Sequence, residues 1–157
     1  MKKCVYTGTF DPPTLGHQAV VQDCLKLFDE VVVGVLTNPA KNAYFNLEQR
    51  LEMLRLMFGE DKRIKIISFA GTAAELLQQE GTSVYVRGVR NTVDFEYENA
   101  NYFATCKLDD NVTAVYLPCR QHLLHVSSSI VRNSLLFGTP IDEYVTKEVQ
   151  EYIEKLK

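Results

Sequence analysis

The chain has no tryptophan and only three histidines among its 157 residues. Its four cysteines, Cys4, Cys24, Cys106 and Cys119, include no close-spaced pair. Neither a disulfide framework nor a paired-thiol metal clasp is therefore expected, and the thiols read as reduced, in a cytoplasmic protein. No stretch approaches the ~18 apolar residues of a membrane span. The basic start MKK leads into an apolar run broken by Gly8, Asp11, Pro12 and Pro13, which is not the pattern of a signal peptide. Positive charge is not in excess either. A formal net charge of -3 argues against a protein that coats nucleic acid with a basic surface, while a few placed cations still suffice for a small phosphorylated ligand.

What is present is enough apolar material, 46% of the residues, for one domain over 1–157 with a sizeable core. Short β-branched runs recur at 4–8, 30–36, 63–69, 83–88 and 112–118. Each is nearly continuously apolar, as in strands covered on both faces. Helical spacing fills the intervals 15–28, 47–58, 72–80, 92–108 and 128–137, and a tail helix is expected over 141–156. Strict alternation of strand and helix predicts an α/β, Rossmann-like, doubly wound sheet of five mainly parallel strands with helices on both faces. Ligands of such sheets sit outside the carboxyl ends of the strands, so the segments after each run are the ones to examine.

The first of these, YTGTFDPPTLGH (6–17), is dense in backbone-bending residues. Gly8 is expected to supply a backbone geometry closed to other residues, and Gly16 to allow close approach. Thr14 reads as an N-cap, which puts Gly16 and His17 in the first helical turn, where unpaired N–H groups attract phosphate. The loop lacks the spacing of GxxxxGK[ST] or GxGxxG. VSSSIVRNSLL (126–136) places Ser127, Ser128 and Ser129 at the mouth of another helix, with Arg132 a turn inside. Hydroxyls and free helix N–H groups make a second anion seat, although plain capping accounts for each feature alone.

TLGH (14–17) together with SSSIVR (127–132) resembles the paired (H/T)xGH and SS(S/T)xxR motifs of the nucleotidylyltransferase superfamily. GTFDPPTLGH, Lys41, RGVRNTVDFEYE (87–98) and the serines are similar, more narrowly, to the phosphopantetheine adenylyltransferase family. That resemblance implies adenylyl transfer from ATP to 4'-phosphopantetheine, giving dephospho-coenzyme A and pyrophosphate, with Mg2+ accompanying ATP. It implies catalytic roles for His17, Thr9, Lys41 and Arg90. Thr9, Lys41, Ala73 and Arg87 would hold the acceptor. The ATP side would comprise Thr9, Phe10, His17, Gly88, Val89, Arg90, Glu98 and Leu123, Leu124, His125, Val126, Ser127, Ser128 and Ser129. A homohexamer is implied, with no nucleic-acid or membrane partner.

The sequence departs from the family pattern at three places. Thr7 stands where YPGTFDP carries proline. The stretch YENANYFATCKL (97–108) lacks the usual methionine-rich run with its asparagine, Thr105 falling near that place, and CRQHLLHV (119–126) lacks the usual tryptophan-serine-phenylalanine stretch. The last segment has Cys119, His122 and His125 at a spacing that suggests zinc but lacks a fourth ligand. Two rival readings remain. One is a nucleotidylyltransferase acting on nicotinamide mononucleotide or a polyol phosphate, and the other a non-catalytic nucleotide or coenzyme A sensor.

Overall fold

The computed structural model describes residues 1–157. Five parallel strands form one sheet: β1 (Lys3–Gly8), β2 (Glu30–Leu36), β3 (Ile64–Phe69), β4 (Val84–Val89) and β5 (Thr113–Pro118). The helices are α1 (Leu15–Leu27), α2 (Leu47–Phe58), α3 (Ala73–Glu80), α4 (Thr92–Leu108), α5 (Ser128–Phe137) and α6 (Lys147–Lys155). The expected α/β architecture is what the chain adopts. The tail helix, expected from 141, begins only at Lys147, where Thr146 accepts the Val149 N–H and caps it.

Strand order is β3-β2-β1-β4-β5. Period-2 alternation sorts the side chains to two faces. Cys4 and Tyr6 of β1 join Val31, Val33 and Val35 of β2 under α1 and α2, with Val20, Cys24, Leu51 and Leu54. Val5, Val32 and Tyr85 face the other way, onto Leu76 and Leu77 of α3. A satellite core clamps α5 and α6 to α2 through Val131, Val149, Ile153, Met53 and Met57.

The order reverses between β1 and β4, and there the pairing is short. β1 runs beside β2 from Lys3↔Glu30 to Gly8↔Val35, and β4 beside β5 from Val84↔Thr113 to Val89↔Pro118. β1 and β4 pair only at Val5↔Tyr85 and Tyr6↔Val86. Beyond those residues the central strands part, opening the crevice that a doubly wound sheet offers to ligands at its switch point.

Candidate active site

The crevice is a cavity of about 450 Å³ between the end of β1, the starts of α1 and α5, and the β4–α4 connection. Thr9, Phe10, His17, Arg87, Gly88, Arg90, Glu98, Val126 and all three serines line it. The two motifs at 14–17 and 127–132, far apart in sequence, thus meet across one space.

His17 is the third residue of α1. Its Nδ1 accepts the Thr14 backbone N–H at 3.0 Å, so the imidazole takes the place of the Glu or Gln of a capping box. That bond occupies Nδ1 as an acceptor and leaves the ring proton on Nε2. Burial lowers the His17 pKa from 6.5 to about 4, helped by the Arg87 and Arg90 charges. The ring is therefore a neutral donor at neutral pH. The Phe10 ring packs on it edge-on at a centroid distance of 4.8 Å.

Phe10 makes this packing at a conformational cost. It is 1% exposed and has φ 52°, in the left-handed region, where a bulky residue costs of order 1–3 kcal/mol. Gly8, expected to supply the unusual backbone, has no positive φ. Its role is room: a Cβ there would lie 3.1 Å from Phe10 Cζ.

At α5, Ser127 is the N-cap, its Oγ accepting the Ile130 N–H at 3.2 Å. Ser128 Oγ donates to the Pro12 carbonyl at 2.7 Å. Arg132 donates to the Asp11 carbonyl at 2.7 Å and to Ser129 Oγ at 3.1 Å. The serines thus tie the first loop to α5 as well as cap it. The N–H groups of Ser128 and Ser129 have no protein acceptor, so α5 presents positive partial charge to the cavity.

Arg87 and Arg90 face the cavity and are also ion-paired. Arg87 meets Glu98 through two hydrogen bonds, Nε to Oε2 at 2.7 Å and Nη2 to Oε1 at 2.8 Å. Burial opposes the Arg87 charge most strongly of any single cause, but the Glu98 hydrogen bonds, together with the charge interactions of Tyr85, Glu98 and Tyr6, outweigh it and raise the pKa. Arg90 Nε donates to Asp94 at 3.1 Å. Asp94 and Glu98 are the only carboxylates on the cavity, and both are engaged. The chain thus offers no free carboxylate cage for Mg2+, and an ion here would ride on the ligand's phosphates.

Lys41 lies outside this cavity, on an adjoining one of about 490 Å³. Thr9 and Arg132 border both, which makes the two spaces neighbours. The other expected residues are placed differently. Ala73 packs against the β1–β4–α3 core, and neither it nor Val89 lines the two cavities. Leu123 is buried against Ala19, Leu124 is 46% exposed, and His125 lies on a separate groove with His122. The cause is local: a 3-10 turn at Gln121–Leu123 carries the chain away before Val126 brings it back. The same turn separates His122 and His125 from Cys119, which faces the main cavity, and no metal-holding group of His, Cys, Asp or Glu is found.

Asp11 and Arg50 are parts of the site that spacing did not reveal. The buried Asp11 carboxylate accepts the Tyr44 and Phe45 N–H groups at 2.7 and 2.8 Å. Arg50, also buried, donates to the Phe45 carbonyl at 3.1 Å and the Thr9 carbonyl at 3.0 Å. Together they fasten the Lys41-bearing segment to the first loop.

Fold and site define the class. Residues 5–134 match the family model described as cytidylyltransferase-like. A solved structure titled as a putative nicotinate-nucleotide adenylyltransferase from Vibrio parahaemolyticus superposes with a TM-score of 0.74, covering 99% of this chain and 93% of its own at 21% identity, a likeness of fold. Relatives named phosphopantetheine adenylyltransferase are closer in sequence. The one from Symbiobacterium thermophilum is 41% identical over 92% of this chain and 90% of its own. That from Thermotoga neapolitana is 37% identical over 98% and 96%. The chain belongs to the phosphopantetheine adenylyltransferase family within the cytidylyltransferase-like class.

Proposed function

We propose that this chain transfers the adenylyl group of ATP to 4'-phosphopantetheine, giving dephospho-coenzyme A and pyrophosphate in coenzyme A synthesis. The observation that carries the reading is the meeting of His17 with the serine-capped start of α5 on one cavity, in a chain whose near full-length relatives bear the name of that activity.

In the reaction an oxygen of the acceptor's phosphomonoester attacks the α-phosphorus of ATP. A new P–O bond forms, the α–β bridging P–O bond breaks, and pyrophosphate leaves with the bonding pair. Two anions must be brought together in line, so donors and placement matter and no protein nucleophile is needed. His17 Nε2 donates to the α-phosphate. Thr9, at the border of the two cavities, holds the attacking phosphate, Lys41 and Arg87 serve the acceptor, and Gly88, Arg90 and Val126–Ser129 serve the nucleotide. Mg2+ accompanying the triphosphate would offset part of its charge. We also propose a cytoplasmic homohexamer. The family resemblance supports it, as do exposed apolar side chains on α4 and α5, among them Val93, Tyr97, Phe103, Leu136 and Phe137.

The test is pyrophosphate release with ATP and different acceptors. Turnover with 4'-phosphopantetheine and not with nicotinamide mononucleotide is the expected result. Turnover with the mononucleotide alone, or ATP binding without release for any acceptor phosphate, contradicts the reading.

A further inference from the structure

Arg87 stands where the central strands part, and its guanidinium does more than pair with Glu98. One Nη1 hydrogen goes to the Thr7 carbonyl at 2.6 Å. That carbonyl lies just past the last β1–β4 pair, Tyr6↔Val86, so Arg87 supplies the partner that the ladder no longer provides. Nη1 also reaches Thr7 Oγ1 at 3.0 Å and, at longer range, the Tyr85 hydroxyl at 3.4 Å. The two hydroxyls bond each other at 2.7 Å. Thr7 is 2% and Tyr85 7% exposed, so this pair is part of the interior. The Tyr85 ring lies under the guanidinium, with Cζ 5.6 Å from its centroid.

Both Nη1 hydrogens, the Nε hydrogen and one Nη2 hydrogen have protein acceptors in Thr7, Tyr85 and Glu98. The second Nη2 hydrogen has none, and Arg87 lines the cavity. A long side chain that could swing among rotamers is thereby fixed from two sides, with one donor left for a ligand. Position 7 is where the family pattern carries proline, a residue with no hydroxyl to offer.

We infer that Thr7 and Tyr85 are positioning residues: their buried hydroxyl pair holds the Nη1 end of Arg87 while Glu98 holds the other, aiming the remaining Nη2 donor at the acceptor's phosphate. The inference rests on the function proposed above. The hydroxyl pair touches no reacting atom and acts through Arg87, so it should govern acceptor affinity rather than nucleotide affinity or the chemical step.

Steady-state kinetics on Thr7→Val, Thr7→Ser, Tyr85→Phe and the Thr7→Val/Tyr85→Phe double variant test this, with the thermal midpoint of each measured alongside. In Thr7→Val the KM for 4'-phosphopantetheine should rise about tenfold, the scale of one hydrogen bond to a charged group, with the KM for ATP and kcat within about twofold. Thr7→Ser should restore the acceptor KM to within about threefold, and the double variant should add little to Thr7→Val, since the hydroxyls share one bond. An unmoved acceptor KM in Thr7→Val overturns the inference. Equal rises in both KM values with a lowered midpoint also overturn it, as they mark a merely structural role. Absence of 4'-phosphopantetheine-dependent release in the unmutated protein removes the functional reading, and this inference with it, whereas release in all variants with unmoved KM removes the inference alone.

Discussion

The ring proton of His17 sits on Nε2 because a backbone N–H occupies Nδ1, and the ring stays uncharged because burial and two arginines disfavour imidazolium. An imidazole titration followed by NMR should accordingly show a His17 midpoint near 4 rather than 6.5. The same shift links to stability. Between those two values the unfolded chain binds more protons than the folded one, so the contribution of neutral His17 is complete above 6.5 and is lost as pH falls toward 4. Denaturation of His17→Gln should show a shallower loss of stability across that window than the unmutated protein. Equal slopes would mean that His17 titrates alike in both states. A methyl at Gly8 would press on the Phe10 ring at 3.1 Å, and Gly8→Ala should cost about 1–3 kcal/mol on unfolding, the usual range for overpacking.

At the scale of elements, the site depends on how helix starts and loops are fastened. Ser127→Ala removes the α5 cap and should cost about 1 kcal/mol in denaturant unfolding. Arg50→Leu strips the bond donors from the Thr9 and Phe45 carbonyls. Its cost should be larger, about 2–4 kcal/mol for two carbonyls left short of partners. Amide exchange should then quicken in the segment 38–45 more than in α6, because α6 is held by the separate contacts of Val149 and Ile153. The existence of these elements was legible in the sequence, since each strand was a nearly continuous apolar run and helical spacing filled the intervals, with polar residues such as Thr14 and Ser127 at the starts of α1 and α5. Their fastenings were not. The partners of Asp11 lie 33 and 34 residues away, and no local pattern distinguishes a buried Arg50 from the charged residues around it on α2. The positive φ of Phe10 was equally hidden, because its neighbour Gly8 was the residue whose type suggested strain.

At the scale of the whole molecule, the parting of β1 from β4 makes one cavity from two halves of the chain, and the strand order that places it there follows from topology rather than from any motif. His17 and Ser127–Ser129, legible in the sequence because their motifs are specific and local, lie on opposite rims of that cavity. Leu123, Leu124 and His125, which the family resemblance put on the ATP side, do not line the cavity, because the 3-10 turn at Gln121–Leu123 diverts the backbone there. Light scattering on the eluted protein should give a mass about six times the 17.9 kDa chain, and a monomer mass at working concentration would rule the hexamer out.

The central claim is that His17 stabilises the charge developing on the α-phosphate at the shared cavity. It is tested most directly by single-turnover adenylyl transfer from ATP to 4'-phosphopantetheine at saturating concentrations of both, comparing His17→Ala with the unmutated protein. The predicted result is a fall of at least about 100-fold in the transfer rate, the typical cost of losing one such donor, with ATP affinity and the circular dichroism spectrum essentially unchanged. A His17→Ala protein that transfers the adenylyl group at a rate near that of the unmutated chain would contradict it.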